Sequence, residues 1–275
     1  MHRPAFFALL VLGLVTASPA IAQTSADNAT AVRSIVQDLL VRSNSYAAVT
    51  AFETMVQQNP DSIAQDMRAG FDRDAFTETL ERTIADSLTL AQAEALLTWM
   101  EQPAIRRAQQ ADLLYLSDPD ADAKLDAFGQ QLGTAIPLDT TRAQLAYLME
   151  EATQAGELIL DMIVATTQAL TEGATMTAEE EAEVRAMLGP QMADYSVLSN
   201  YYIYRDLSIE EMAGYARALN SEEGALYYEV IGEGFGAAMR EWAEGTRAAM
   251  EARLTDEFEE PRSGKSAQDA PDDRE

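Results

Sequence analysis

The feature that most constrains this chain is a capped amphipathic stretch that occurs twice. Leu207 to Gly224 reads Leu-Ser-Ile-Glu-Glu-Met-Ala-Gly-Tyr-Ala-Arg-Ala-Leu-Asn-Ser-Glu-Glu-Gly. Moved back 119 residues without gaps, it sets Leu207 on Leu88, Ser208 on Thr89, Leu219 on Met100 and Ser221 on Gln102. Both copies open with a capping box, Ser208 with Glu211 and Thr89 with Gln92. In such a box the hydroxyl accepts from a backbone N–H while the third residue of the helix reaches back to the cap. Ile209, Met212, Ala213, Ala216 and Leu219 then recur at steps of three and four and form the expected buried stripe. In the first copy Ala93, Leu96, Leu97 and Met100 do the same before a break at Gln102-Pro103. A helix of about eleven residues is marginal alone in water, so each copy is expected to dock as a helix pair into a shared core.

Helical periodicity fills the rest. Val32, Ile35, Val36, Leu39 and Leu40 start it, and Val49, Phe52 and Val56 continue it to Asn59-Pro60. Asp72 is placed as the cap of a helix carrying Phe76, Leu80 and Ile84. A helix with Ile105, Leu113 and Leu116 follows, then one bracketed by Asp118-Pro119 and Gly133 to Pro137. A long helix is expected from Thr141 to Leu170, with Leu145, Leu148, Met149, Leu158, Ile159, Met162 and Ile163 on its apolar face and a bend at Gly156. Thr177 with Glu180 is a third capping box, and Gly189-Pro190 is expected to end its helix before another from Gln191 to Tyr204. Ser221 is placed as the cap of a last helix with Tyr227, Val230, Ile231, Phe235, Ala238 and Trp242. No stretch alternates as a strand. The fold class is therefore all-α, a multi-helix bundle built from two related helix-turn-helix halves.

The flanks differ in kind. His2 and Arg3 precede an unbroken apolar run from Ala5 to Val15, and Ala20-Ile21-Ala22 has the small residues of a cleavage site. This pattern is that of an export signal, cut between Ala22 and Gln23 and shorter than the roughly 20 apolar residues a permanent anchor needs. The expected organisation is a signal over 1–22, a flexible lead-in over 23–30, the domain over 31–255 and a disordered acidic tail over 256–275. Localisation is expected to be periplasmic or secreted.

Composition removes whole classes of chemistry. The chain has no cysteine and one histidine, His2, inside the expected signal. Disulfides, thiolate or imidazole metal sites, and Ser-His-Asp or Cys-His nucleophiles are therefore excluded. With 46 acidic against 19 basic side chains the net charge is −27, a field that repels nucleic acid and anionic lipid surfaces. No cofactor or metal is expected, and no span after signal removal. The partner is an unknown protein or envelope component.

The repeated pattern resembles a family of exported bacterial proteins catalogued as domain of unknown function 2059. Its hallmark is Thr/Ser-x-x-Glu-Leu followed by Phe-Tyr-x-Ser-Pro-x-Gly in a helix-turn-helix. Ser208, Glu211, Ser221 and Gly224 match it, with Glu222 in place of proline and Ala218-Leu219 in place of the aromatic pair. The first copy keeps Thr89, Gln92, Trp99 and Pro103 but has Gln102 for the serine and Ile105 for the glycine. The resemblance covers about 195–250 and, more weakly, 76–115. It implies a helical fold and an exported setting, and lends no activity.

Several other patterns invite a functional reading. Tyr195, Tyr201, Tyr202, Tyr204, Tyr215, Tyr227 and Tyr228 crowd one region; Tyr201, Tyr202, Tyr204 and Tyr228 are the candidate interaction surface, against the alternative of an aromatic seam between helices. Gly232-Glu233-Gly234-Phe235-Gly236 lacks the preceding strand of a nucleotide fingerprint, so close helix approach explains it better. Gly264-Lys265-Ser266 resembles the end of a P-loop but lacks its first glycine, Glu259 standing there. Asp118, Asp120 and Asp122 have the spacing of a calcium loop, but Ala123 and Gly129 occupy the positions of its glycine and glutamate, which favours a helix cap. The function expected is a binding or accessory module of the bacterial envelope, not an enzyme. The alternatives are a carboxylate-dependent hydrolase of envelope glycans and an acidic cation-binding protein.

Overall fold

In the computed structural model, residues 19–58, 62–132, 140–170 and 176–259 are described. They form twelve helices: α1 (Pro19–Arg42), α2 (Ser45–Gln58), α3 (Ser62–Ala69), α4 (Arg73–Ser87), α5 (Leu90–Met100), α6 (Pro103–Leu116), α7 (Ala121–Leu132), α8 (Thr141–Thr153), α9 (Ala155–Leu170), α10 (Ala178–Ile203), α11 (Ile209–Leu219) and α12 (Glu222–Glu259). No strand occurs among the described residues, and the fold is all-α.

The repeat is preserved to the residue. Helix α5 moved by 119 positions lands on α11 at both ends, and the first residue of α6 lands on the first of α12. All three expected capping boxes form: Thr89 with Gln92, Thr177 with Glu180, and Ser208 with Glu211. Asp72 caps α4 by accepting from the N–H groups of Asp74 and Ala75. Pro103 occupies the first turn of α6, where its missing N–H costs nothing. Ser221 Oγ accepts from the Gly224 N–H and donates to the Ala218 carbonyl.

The packing is reciprocal between the copies. Helix α5 lies on α12 of the other pair, and α11 lies on α6. Likewise α1 packs on α4 and α5, as α8 packs on α10 and α11. At the centre Trp99 Nε1 donates to the Ala218 carbonyl at 3.1 Å, and these two residues are themselves 119 apart. Each half therefore uses the other as its missing wall, and one core runs through both. Leu80, Ile84, Leu96, Met100, Met212 and Leu219 are among its fully buried side chains.

Several expectations require correction or adjustment. The segment expected as a flexible lead-in, 23–30, is helical, and Ala22 and Gln23 fall inside α1. The long helix over 141–170 is two: Gln154 adopts a left-handed φ of 48° and ends α8, so the break lies two residues before Gly156. Glu150 then accepts from the Gly156 N–H at 3.0 Å and from Ser196, tying the start of α9 to α8 and α10. A β-carbon on Gly156 would come within 2.7 Å of the Ala193 nitrogen, so its smallness serves the α9–α10 crossing instead of a bend.

Pro190 does not end a helix; it sits inside the 26-residue α10. Gln191 Nε2 donates to the Met187 carbonyl at 3.2 Å one turn earlier, the region where proline weakens the backbone ladder. Ile209, expected in the buried stripe, is 42% exposed, as the first residue of α11 points out beside the cap. Leu113, Leu148 and Ile163 are exposed as well, and Leu160 and Val164 take the core positions of α9. Finally α12 continues to Glu259, past the expected start of the tail at 256. Residues 1–18, Asn59-Pro60, Gly133 to Pro137 and 260–275, with Gly264-Lys265-Ser266, lie outside the described residues.

Candidate functional site

The tyrosines do not form one surface. Tyr202 and Tyr204 are buried, and Tyr201 and Tyr228 are half-buried. They divide between two aromatic clusters, which overturns a single exposed patch and favours the aromatic-seam alternative. In one cluster Tyr201 and Tyr202 lie 5.7 and 5.2 Å from the Phe128 ring, and Tyr115 lies 6.3 Å from Tyr202. In the other, Tyr204 meets Tyr215 at 5.3 Å, Tyr227 meets Tyr228 at 5.1 Å, and Trp99 closes on Tyr227 at 5.3 Å.

The second cluster encloses a carboxyl. Tyr204 Oη donates to Asp112 Oδ1 at 2.8 Å, and the hydroxyls of Tyr215 and Tyr228 are 3.3 Å apart. Burial pushes the Asp112 carboxyl up to about 7, against the smaller opposing effect of the Tyr204 hydrogen bond. The same burial, with Asp112 or a tyrosine oxygen beside each, holds the Tyr204, Tyr215 and Tyr228 hydroxyls well above their ordinary range. No motif marked Asp112 in the sequence; only the apolar company of α6, α10, α11 and α12 sets it apart from the chain's other carboxylates.

A groove of about 790 Å³ opens where α12 faces the α8–α9 turn and α4. Leu158 and Met162 give it apolar wall, and Tyr228 links it to the aromatic seam. Glu157, Asp161, Glu229 and Glu233 supply its charge, with Arg240 as the cation in the lining. Glu157 and Asp161 are shared by Arg185, at 3.7 and 2.6 Å, and Glu233 accepts from Ser87 Oγ at 3.0 Å. The glycine motif 232–236 is explained here. A β-carbon on Gly234 would meet Leu80 and Ile84 at 2.8 Å, and one on Gly232 would meet Leu158 at 3.1 Å. Gly234 thus seats α12 against α4, while Gly232 brings it close to α9.

A smaller cavity of about 270 Å³ lies between α6 and the turn from α10 to α11. Arg107 and Arg205 line it, with Leu114, Tyr115, Tyr202 and Ile203 as apolar or aromatic wall. Asp118 and Asp206 line it too; Asp118 accepts from Lys124 Nζ at 2.6 Å and from the Asp120 N–H at 3.0 Å, while Asp122 accepts from Tyr115 Oη at 2.9 Å. Asp118 therefore accepts within the turn while Asp122 accepts from a tyrosine, so the two carboxylates serve different partners. Among the described residues no group of three or more acidic or histidine side chains converges as metal ligands would.

No protein-family model, curated protein or solved structure matches this chain. Among the described residues no helix is long and apolar enough to cross a membrane.

Proposed function

We propose that this chain is an exported helical binding module of the bacterial envelope, periplasmic or secreted, and that its principal ligand lies in the groove between α12 and the α8–α9 turn. The observation that carries this reading is the combination found there. Apolar wall from Leu158 and Met162 adjoins the carboxylates of Glu229 and Glu233, in a cavity of about 790 Å³ set where the halves meet. Such a lining complements a basic amphipathic segment: its apolar side chains leave water, and its Lys or Arg groups face carboxylates. The net charge of −27 would add long-range attraction for the same partner.

The test is titration of the protein with a lysine-containing amphipathic peptide, followed by calorimetry and repeated with Glu229→Gln/Glu233→Gln. Binding that weakens in the double variant and with added salt is expected. Equal affinity for a peptide in which glutamate replaces lysine would sink the reading. Turnover of an envelope glycan abolished by a single Asp or Glu substitution would move the assignment to the hydrolase. Fractionation of cells carrying the full chain tests the export.

A further inference from the structure

The two cavities occupy the same place on the two repeats. Shifted by 119 positions, Thr83 of the large groove becomes Tyr202 of the small cavity, Glu229 becomes Gln110 and Glu233 becomes Leu114. Each cavity therefore lies on the same face of the second helix of its repeat, against the helix that precedes the capped pair of the other repeat. The side chains have diverged in a consistent direction. Two carboxylates of the groove are replaced by an amide and an aliphatic group, and two guanidiniums, Arg107 and Arg205, line the smaller cavity.

Those arginines are placed to receive an anion without leaving their present partners. Arg205 stacks over the Tyr202 ring at 4.0 Å and donates to the Tyr202 carbonyl at 2.8 Å, which fixes its plane. Its carboxylate contact, Asp206, is 3.9 Å away with that side chain 85% exposed, so solvent screens the pair. Arg107 is held by Glu211 at 3.3 Å and donates to Gln110 Oε1 at 2.8 Å, which leaves further N–H donors on its fork. Asp118 is already engaged by Lys124. Beside the guanidiniums, Leu114 is 69% exposed and gives the cavity an apolar wall.

We propose that this cavity is a second binding site, for a carboxylate carried on a small apolar body. The guanidiniums of Arg205 and Arg107 hold the carboxylate, and Leu114, Tyr202 and Ile203 cover the apolar part. At about 30 Å³ per water, the cavity equals on the order of nine water volumes, the scale of one apolar residue and not of a polymer. A free short-chain acid and the C-terminal residue of a peptide share this chemistry.

The experiment is an NMR titration of the full chain with four probes: hexanoate, hexanamide, N-acetyl-leucine and N-acetyl-leucinamide. Each acid is expected to bind about tenfold more tightly than its amide, with shifts confined to Leu114, Tyr202, Ile203 and the two arginines. Tighter binding of hexanoate assigns a free acid, and tighter binding of N-acetyl-leucine assigns a peptide terminus. Arg205→Met is expected to remove the preference for acid over amide while the rest of the spectrum stays unchanged. Arg107→Met, at an exposed side chain, gives an independent second variant. Equal binding of acid and amide, absence of binding by every probe, or shifts located in the acidic groove would each overturn the proposal. The groove tested by the basic peptide shares no lining residue with this cavity, so the two readings fail separately.

Discussion

Asp112 has a consequence for stability that follows from its surroundings alone. An aspartate titrates near 3.9 in an unfolded chain, and burial among Tyr204, Tyr215 and Tyr228 pushes this one up to about 7. A carboxyl raised on folding favours the folded state when protonated. Its contribution is full below the unfolded value and is lost as pH rises through about 7. The urea midpoint is therefore expected to fall as pH rises from about 4 to about 7. Asp112→Asn is expected to flatten that slope, since the amide still accepts from Tyr204. An unchanged slope in the variant would show that another group carries it. Glu180 and Glu211 work in the opposite sense. Backbone N–H groups of Thr177 and Ser208 hold their carboxyls below the ordinary range, so their stabilisation is present at neutral pH and disappears in acid. Gly224 makes the third residue-scale case. A β-carbon there would fall 2.4 Å from the Leu219 carbonyl oxygen and 2.5 Å from that of Ala218. Gly224→Val is expected to cost about 2 kcal/mol or more, read as a lowered melting temperature, because both obstacles are backbone.

At the level of elements, the short helices are held by one face and their caps. Helix α11 has 11 residues and buries Met212, Tyr215, Ala216, Ala218 and Leu219. Leu219 is 1% exposed, so Leu219→Asp combines lost apolar burial with an unpaired charge. A loss on the order of 3–5 kcal/mol is expected by chemical denaturation, and a near-normal midpoint would contradict this packing. The caps were legible in sequence because a capping box is local: Ser208 and Glu211 need only each other and three residues of backbone. Helix ends without such a local reason were not. At the break after Gln154, Glu150 of α8 accepts from the Gly156 N–H at the start of α9 and is itself bonded by Ser196 of α10. Pro190 reads as a stop, but α10 packs on α8, α9 and α7, and that packing carries the helix through it. Ile209 fits the apolar period of α11 and yet stands in solvent, because the period fixes a stripe but not where the neighbouring helix begins to cover it.

For the whole molecule, charge and topology act at different ranges. A net charge of −27 on one chain repels itself at long range. Raising salt from about 10 mM to about 150 mM shortens the screening length from roughly 30 to 8 Å. The melting temperature is therefore expected to rise over that range by calorimetry; a fall would mean that attractive pairs such as Arg185 with Asp161 outweigh the repulsion. The sequence by itself determined the all-α class, the caps, and a duplication whose copies coincide to the residue, since each depends on local hydrogen bonding and a 3.6-residue period. It also settled that neither thiol nor imidazole chemistry operates beyond His2. Only the tertiary structure decided how the copies close on each other, with Trp99 bonded to Ala218, and that Asp112 lies enclosed by tyrosines. It alone decided that the repeat-equivalent faces form one acidic groove and one arginine-lined cavity. Burial and cavity shape arise from residues far apart in the chain, and no local pattern encodes which of many carboxylates, tyrosines or arginines will meet there.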